Sequence, residues 1–417
     1  MEVFVKNIAK IREATIELNG ITVIAGENNT GKSTIGKILY SVFLSMNNIK
    51  TKVFEYRVKS VFQQIFFSLQ RSLINVDLFS IINKNEKYTL EIAKKLVENI
   101  DEYKGNISKI EDFMEKEIEE QLEVKELSSK IDEILNVSDS DVFKQILGLK
   151  LNLEFYKQIN NFLYKDELGE IILKEIGQND IIINVKENKV IELKNAIDLV
   201  DTNAVYIDDP FVLDNLGERF SMYDGGRKSD LIKSLENIYE GENPVKGVIN
   251  REKFENVMKK VNSVCSGTVI SSSGEFFYRS NELDENINIK NVSTGLKTFI
   301  ILKTLLLNGT INENCVIVLD EPEIHLHPKW QILFAEIIVL LQKQFGMKIL
   351  VNTHSPYFLE AIDVYARKHK LDENCKYYLT RVEKEVSYID DVTDEIEEIY
   401  EKMAEPFDEL EVERLDL

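Results

Sequence analysis

The stretch GENNTGKST, from Gly26 to Thr34, has the G-x-x-x-x-G-K-[ST] pattern of a loop that binds nucleotide phosphates. Its glycines allow a tight turn, so that backbone amides can point at phosphate oxygens beside the start of a following helix. The Lys32 side chain can reach the β- and γ-phosphates, and the Ser33 hydroxyl can ligate Mg²⁺. The residues predicted to bind ATP are Gly26, Asn28, Asn29, Thr30, Gly31, Lys32, Ser33 and Thr34.

A second motif, VIVLDEP, lies far downstream and ends a strongly apolar run with two adjacent carboxylates. We expect Asp320 to hold Mg²⁺, directly or through water. Glu321 would then polarise the attacking water as a general base, with Lys32 and His354 as the other catalytic residues. An apolar run that ends in DE is common by itself, but together with a phosphate loop it indicates ATP hydrolysis.

Two further motifs carry residues suited to contact phosphate. VNTHSP places His354 at the end of another predicted strand, where it could contact the γ-phosphate and sense its loss. A purely structural histidine is the alternative, and the neighbouring motifs favour the catalytic interpretation. NVSTGLKTF places Ser293, Thr294 and Gly295 just before a predicted helix, whose N-terminus can bind an anion. Because the chain already has one phosphate loop, we interpret this second helix start as a cap on the ATP of another subunit.

The elements around these motifs predict an α/β sheet with parallel core strands. The apolar run ITVIA, residues 21–25, stops at the glycine of the phosphate loop, as a buried parallel strand should. Apolar residues at helical spacing follow the loop, and this strand–loop–helix context is the one that a phosphate loop requires. CVIVLDEP and KILVNTHSP are two further buried strands, separated by a predicted helix.

The middle of the chain is mainly helical in pattern. We interpret residues 49–177 as a helical arm inserted into the ATPase; an all-helical packing domain without a mechanical role is an equally good interpretation. A short heptad-like seam runs through it. The seam residues are Leu96, Ile100, Tyr103, Ile107 and Ile110.

The pattern divides the chain into six segments. DIIINVKENKVIELK predicts a hairpin with KENK as its turn, and AVYIDDP predicts another strand. The predicted segments are a first head part at 1–48, the helical arm at 49–177, head strands at 178–211, a second helical insertion at 212–262, a second head part at 263–380 and an acidic C-terminal segment at 381–417.

The composition indicates which kinds of partner and which cellular compartment the chain is suited to. The net charge of −21 argues against a broad, non-specific grip on nucleic acid and leaves room only for a local basic groove. We find no apolar run long enough to span a membrane and no signal peptide. The three cysteines lie far apart without metal-like spacing, which fits a soluble protein in the reducing cytoplasm.

The stretch 390–417 contains thirteen acidic residues and two basic ones. The simpler interpretation is a solvated helix face or a frayed tail. The alternative is a docking surface for a partner protein.

The order of the motifs, GENNTGKST, NVSTGLK, VIVLDEPEIHLHP and NTHSP, resembles that of the ATP-binding-cassette (ABC) ATPases. Within them the chain resembles the SMC-like, OLD-type (overcoming lysogenization defect) branch. The resemblance covers about 1–45 and 178–365. It implies an ABC/SMC-like P-loop ATPase head, in which a mixed sheet with parallel core strands carries an antiparallel β lobe and an inserted helical arm.

The resemblance assigns family roles to residues of this chain. The family's Walker A motif matches Gly26–Thr34, and its Walker B aspartate and catalytic glutamate match Asp320 and Glu321. Its switch histidine matches His354. Its signature, which acts on the nucleotide of the other subunit, matches Ser293, Thr294 and Gly295, with Lys297 near the place of the transporters' signature glutamine.

The chain also departs from its relatives. The transporter signature L-S-G-G-Q is replaced by VSTGLK, and the D-loop reads EIHLHP, which is typical of the SMC-like branch. The family's Q-loop glutamine has no clear counterpart, with Gln63 and Gln64 as candidates. The chain after His354 is too short for the metal-binding Toprim domain of OLD nucleases, so we do not expect this chain to be a nuclease.

Relatives without Toprim resemble the ATPase subunits of Septu-type and retron-associated anti-phage systems. The resemblance therefore predicts an ATP- and Mg²⁺-dependent ATPase subunit of a bacterial defence complex. It would form a head-to-head homodimer or higher even oligomer and control a separately encoded effector. The alternatives are an SMC-like DNA-repair ATPase that clamps DNA and a scaffold that hydrolyses ATP poorly. The complete set of catalytic residues argues against the scaffold, and the net acidity weakens the DNA clamp.

Overall fold

The computed structural model describes residues 1–72, 78–118, 124–195, 202–218, 226–237, 251–280 and 284–415. The chain divides into two compact units. One, which we call the head unit, consists of Met1–Asn47 and Leu147–Leu417, and the other, the helical unit, consists of Asn48–Ile146.

An eleven-stranded sheet forms the centre of the head unit. Its strands are β1 (Glu2–Ile8), β2 (Ile11–Glu17), β3 (Ile21–Ala25), β4 (Gly169–Lys174), β5 (Ile181–Lys186), β6 (Lys189–Lys194), β7 (Asn203–Ile207), β11 (Cys315–Asp320), β12 (Lys348–Thr353), β13 (Cys375–Glu383) and β14 (Val386–Asp391). A separate antiparallel sheet consists of β8 (Thr268–Ser272), β9 (Glu275–Arg279) and β10 (Ile287–Asn288).

The strand order across the large sheet is β6-β5-β4-β1-β2-β14-β13-β3-β12-β11-β7. Strands β13, β3, β12, β11 and β7 pair in parallel. Strands β2, β1, β4, β5 and β6 form an antiparallel lobe. Strand β14 connects the two parts, because it is antiparallel to β13 and parallel to β2. This topology confirms the predicted class, a mixed sheet with parallel core strands and an antiparallel lobe.

The parallel strands are apolar because the sheet buries both of their faces. Every residue of β3 is buried, and so are the first five residues of β11. The register aligns Ala25 with Thr353, and Asp320 with Asn352. The carboxyl ends of β3, β11 and β12 therefore reach the same edge of the sheet, and the segments that follow these strands meet there.

Helices complete the head unit. Helix α1 (Lys32–Met46) begins at the end of the phosphate loop, and α11 (Pro328–Phe345) and α12 (Pro356–His369) both have Pro in their first turn, where a missing N–H costs nothing. The helices are α1 (Lys32–Met46), α8 (Arg227–Glu236), α9 (Arg251–Asn262), α10 (Thr294–Leu307), α11 (Pro328–Phe345), α12 (Pro356–His369) and α13 (Glu397–Leu415).

The helical unit has an apolar core of its own. Its helices are α2 (Ile49–Ser72), α3 (Leu78–Glu98), α4 (Ile100–Tyr103), α5 (Ile107–Glu117) and α6 (Val124–Asn136). Helix α7 (Asp139–Glu154) begins in this unit and ends in the head unit. The candidate Q-loop residues Gln63 and Gln64 both lie within α2.

The predicted heptad seam does not form one helix face. Its five residues are distributed over α3, α4 and α5, because helices end at Glu98 and at Tyr103. Leu96 and Ile110 are buried in the core of the unit, whereas Ile107 is 40% exposed. The repeat therefore reflects packing within a helical cluster and not a coiled coil.

Several segment boundaries also differ from those inferred from sequence. Strand β4 lies inside the stretch 49–177 that was predicted to be helical, and it pairs with β1. The boundary between 380 and 381 falls within β13, and the acidic segment 381–417 contributes β14 to the sheet. Part of the second helical insertion, 212–262, lies outside the described residues.

Helix α13 carries most of the charge of the acidic segment. Its start is anchored by buried Ile399, and Tyr400 and Met403 pack against the core of the head unit. Lys402 forms an ion pair with Glu27 of the phosphate loop, with 2.9 Å between Nζ and Oε1. None of the helices in the described part of the chain combines the length and apolar character needed to cross a lipid bilayer.

The close packing of α1 on the sheet gives a stability prediction. A Cβ at Gly36 would lie 2.7 Å from Val318 Cγ1 and 3.1 Å from Tyr206 Cε2. We expect Gly36→Val to destabilise the protein by about 1–3 kcal/mol through overpacking, seen as a lower midpoint of thermal unfolding by circular dichroism. The control is Gly148→Ala in α7, whose Cβ would have its nearest neighbour at 3.7 Å. This control should leave the midpoint unchanged or raise it, and equal midpoints for both variants would contradict the prediction.

Candidate nucleotide-binding site

The phosphate loop joins β3 to α1 and has the backbone conformation that its glycines permit. Gly26 and Gly31 have φ values of 145° and 89°, and Asn29 lies in the left-handed region at 61°. A Cβ at Gly26 would lie 1.9 Å from Thr380 Oγ1, so only glycine fits. The Thr30 hydroxyl donates to the Glu27 carbonyl at 2.8 Å and accepts a hydrogen bond from Thr380 at 2.7 Å, which fixes the loop to β13.

Lys32 is the first residue of α1 and its ammonium lies inside the loop. The side chain is 4% exposed, and Nζ donates to the carbonyls of Gly26 at 2.8 Å and Glu27 at 2.7 Å. Glu321 Oε1 is 3.7 Å from Nζ. Burial lowers the pKa of Lys32, and the carboxylates of Glu321 and Asp320 oppose this shift.

The carboxylate of Asp320 is held by three donors from separate segments. Ser33 Oγ donates to Oδ1 at 3.1 Å, and Asn352 Nδ2 donates to the same oxygen at 2.8 Å. The hydroxyl of Tyr206 donates to Oδ2 at 2.5 Å. The two residues predicted to bind Mg²⁺, Ser33 and Asp320, are thus in direct contact.

Glu321 follows the end of β11 in a left-handed conformation with φ of 51°. Its backbone N–H donates to the Asn352 carbonyl at 2.9 Å, which places the turn against the end of β12. His354 Nδ1 lies 3.4 Å from Glu321 Oε1. The Glu321 Oε1 atom is therefore close to both the Lys32 ammonium and the His354 imidazole.

Sequence reasoning missed several residues that complete this edge of the sheet. Tyr206 lies in the predicted strand AVYIDDP and Asn352 lies in the motif VNTHSP, but neither residue was given a role, and both contact Asp320. Burial, followed by the nearby Asp320 carboxylate, raises the pKa of Tyr206 well above its usual value, so the hydroxyl keeps its proton. The sequence signal for these two residues was their position on predicted strands, AVYIDDP and KILVNTHSP.

Arg227 extends the polar network from the end of β7 to the end of α7. Its Nε donates to Asp208 Oδ2 at 2.8 Å and its Nη1 donates to Glu154 Oε2 at 2.9 Å. The guanidinium lies 5.0 Å from the centre of the Tyr206 ring. Burial raises the pKa of Asp208, and the ion pair with Arg227 counteracts that shift.

The predicted signature residues lie at the start of α10. Among the described residues, no hydrogen bond or ion pair joins Ser293–Lys297 to Gly26–Thr34. Ser293 precedes α10 as its N-cap, is exposed, and makes no capping hydrogen bond with its side chain. A Cβ at Gly295 would approach His325 O to 3.0 Å and Trp330 Cζ3 to 3.1 Å, so glycine allows α10 to pack closely.

Lys297 is buried, unlike Ser293. Its side chain is 2% exposed, and Nζ donates to Asp214 Oδ1 at 2.5 Å. Phe211 covers the ammonium with its ring at 5.5 Å. We therefore leave Lys297 out of the surface proposed to bind a second nucleotide, because its charge is already buried and paired within the head unit.

Comparisons with known proteins place the chain in a family. The SMC head domain from Thermotoga maritima is 14% identical, with 94% of this chain and 98% of that chain covered and a TM-score of 0.41. An Smc head domain with an extended coiled coil, derived from Pyrococcus furiosus and bound to the C-terminal domain of ScpA, is 11% identical over 96% and 98% of the two chains, with a TM-score of 0.42. The family model described as AAA ATPase domain matches residues 1–359. The chain therefore belongs to the AAA ATPase domain family.

Proposed function

We propose that this chain binds ATP at the phosphate loop and hydrolyses it with Glu321 as the general base. The observation that carries the proposal is the meeting of three strand ends at one edge of the sheet. There the Glu321 carboxylate lies 3.7 Å from Lys32 and 3.4 Å from His354. The Ser33 hydroxyl lies 3.1 Å from Asp320.

The phosphate loop and Lys32 would bind the phosphates. The backbone amides between Asn28 and Thr34 lie in the loop before α1 and in its first turn, where the helix dipole favours negative charge. Lys32 Nζ now donates to the carbonyls of Gly26 and Glu27, and phosphate oxygens would take their place. A buried ammonium next to a phosphate forms a charge-assisted hydrogen bond, which is stronger than the bonds to carbonyls that it replaces.

Ser33 and Asp320 would hold Mg²⁺. Both are hard oxygen donors, which is the ligand chemistry that Mg²⁺ prefers, and they are already in contact. Bound there, Mg²⁺ would supply positive charge to neutralise the phosphates. Asn352 and Tyr206 orient the Asp320 carboxylate through hydrogen bonds of 2.8 Å and 2.5 Å. These two residues support the ligands from outside and are not proposed to bind the metal.

Glu321 and His354 would act on the attacking water and the γ-phosphate. Glu321 is 25% exposed, so its carboxylate can reach a water molecule while it stays in contact with Lys32. The His354 side chain is 42% exposed and can contact the γ-phosphate. In this arrangement Glu321 accepts the proton of the water, and His354 reports whether the γ-phosphate is present.

ATP hydrolysis should depend on the Glu321 carboxylate and ATP binding on the Lys32 ammonium. Loss of a general base typically lowers a rate by ~10²–10⁴-fold, so Glu321→Gln should bind ATP normally and turn over slowly. Phosphate release measures turnover, and a fluorescent ATP analogue measures affinity. Lys32→Ala is the contrasting variant, which should lose affinity. Wild-type turnover by Glu321→Gln would remove Glu321 from the mechanism, and unchanged affinity in Lys32→Ala would refute the assigned phosphate loop.

We further propose that two head units share each ATP. Ser293 is exposed and its hydroxyl makes no capping bond, so the start of α10 is available to an anion from outside the chain. Within the described residues it makes no polar contact with the phosphate loop of its own chain. In a two-fold dimer each subunit could therefore lend Ser293, Thr294 and Gly295 to the nucleotide of the other.

A mixture of two inactive variants tests this sharing. Lys32→Ala and Ser293→Arg should each be inactive as homodimers, because each lacks one component of both sites. A mixed dimer would contain one site with an intact phosphate loop and an intact signature, so part of the ATPase activity should return. Mixed dimers would be confirmed by two affinity tags. Confirmed mixed dimers without activity would indicate that each site lies within one chain.

We also propose that the chain serves an anti-phage defence complex and controls a separately encoded effector, as its resemblance to Toprim-less OLD-type ATPases implies. The acidic helix α13 supports a protein contact there. Its Phe407 and Leu410 are 68% and 65% exposed, although they are apolar. Phe407 and Leu410 are three positions apart in the helix, and contiguous exposed apolar surface supports a protein contact.

The double variant Phe407→Ser with Leu410→Ser should weaken co-purification with the product of the neighbouring gene and spare ATPase activity. It leaves the buried start of α13 intact, which a deletion of 390–417 would not. Ile176→Ser is the matched control, because Ile176 is also apolar and 100% exposed. Undiminished co-purification of the double variant would exclude this surface. Cleavage of plasmid DNA by the purified chain alone, abolished by a mutation in it, would contradict the separate effector.

A further inference from the structure

Glu323 is a buried carboxyl group next to the proposed catalytic residues, and neither the sequence motifs nor the proposed mechanism assigns it a role. It lies in the turn after β11, two residues beyond Glu321, and is 2% exposed. A buried carboxyl group is costly unless hydrogen bonds compensate for its lost hydration. Its partners therefore indicate what it stabilises.

The Glu323 side chain bonds to the segment that carries His354. Its Oε1 accepts a short hydrogen bond from the Thr353 hydroxyl and another from the His354 backbone N–H at 3.1 Å. The Thr353 Oγ1 in turn accepts from the Ser355 N–H at 3.0 Å. His354 Nδ1 lies 3.8 Å from the same Oε1. Glu323 Oε1 thus holds the backbone of the segment that carries His354.

A second set of hydrogen bonds joins the same two segments through Gln331 of α11. The Ser355 hydroxyl donates to Gln331 Oε1 at 2.8 Å. Gln331 Nε2 donates to the Leu326 carbonyl at 3.0 Å, within the turn that contains Glu323. Two sets of hydrogen bonds therefore join the end of β12 to the turn after β11. One set runs through the buried Glu323 side chain and the other through Gln331.

We propose that Glu323 is a positioning residue that sets the distance between the Glu321 carboxylate and the His354 imidazole. It does so by holding the end of β12 against the turn after β11. This inference rests on the proposed function, because it assigns Glu323 to the hydrolysis for which Glu321 is the base. A displacement of about 1 Å in such a site can lower a rate by about a hundredfold.

The feature that matters is an acceptor oxygen at the right place, and not a negative charge. Burial raises the pKa of Glu323, and its hydrogen bonds to Thr353 and His354 oppose that shift. Its other oxygen, Oε2, has no hydrogen-bond partner among the residues that the structure describes. Glutamine has the same length and keeps one acceptor oxygen, whereas alanine removes the acceptor and aspartate withdraws it by one methylene group.

The test compares Glu323→Ala, Glu323→Asp and Glu323→Gln in the full chain. We expect kcat for ATP to fall about ten- to a hundredfold in the alanine and aspartate variants, because the histidine is released from its position. The affinity for a fluorescent ATP analogue should stay within about twofold, since the phosphate loop is unchanged. Glutamine should restore kcat to within about threefold of wild type. Glu313→Ala, an exposed glutamate before the start of β11, is the matched control.

Each other outcome has a defined meaning. The positioning role would be overturned by a wild-type kcat in Glu323→Ala, or by a loss of ATP affinity in that variant as large as its loss of kcat. It would also be overturned if Glu323→Gln were as slow as Glu323→Ala. If the alanine variant does not fold, Thr353→Val replaces it, and this variant should also lower kcat without loss of affinity. Normal kcat in Thr353→Val would then overturn the proposal. Failure of the proposed function looks different, because wild-type protein would not hydrolyse ATP or Glu321→Gln would hydrolyse it normally.

Discussion

The rest of the site depends on the hydrogen bonds that the carboxylate of Asp320 accepts. This carboxylate accepts hydrogen bonds from Ser33 at the start of α1, from Asn352 on β12 and from Tyr206 on β7. These segments are far apart in sequence, and only the parallel register of β3, β12, β11 and β7 brings them together. The strands therefore determine which donors surround one acidic side chain, and the turn after β11 then places Glu321 beside Lys32.

The fold class could be predicted, and the residues of the proposed site could be named, because their signals are local. The β3 strand, its glycine loop and α1 are contiguous, and β11 and β12 are apolar runs that end in polar motifs. Strands β13 and β14 gave weaker signals, because charged residues interrupt their apolar pattern near an acidic helix. Tyr206, Asn352 and Glu323 could not be assigned from sequence, since their roles arise from contacts between separate strand ends. Lys297 was misjudged because a helical position does not show whether a lysine faces solvent or turns inward to pair with an aspartate such as Asp214.

The charge distribution of the site contrasts with that of the whole chain. The chain has a net charge of −21, yet the cations at this edge of the sheet are already paired with oxygen atoms. Lys32 binds two loop carbonyls, and Arg227 bridges Asp208 and Glu154. Attraction of a polyanion such as ATP must therefore come from these few local groups and from aligned backbone amides, because the overall field of the protein opposes it.

The position of β14 has a consequence for how the chain acquires its structure. Strand β2, near the N-terminus, pairs with β14, and β3 pairs with β13. During synthesis β1 can pair early with β2 and β4, but β2 and β3 gain their partners β14 and β13 only when nearly all later residues have left the ribosome. Pairings between such distant segments form slowly. The helical unit has its own apolar core and can fold early, so we expect ribosome-bound chains to combine a folded helical unit with β2 and β3 still lacking these late partners.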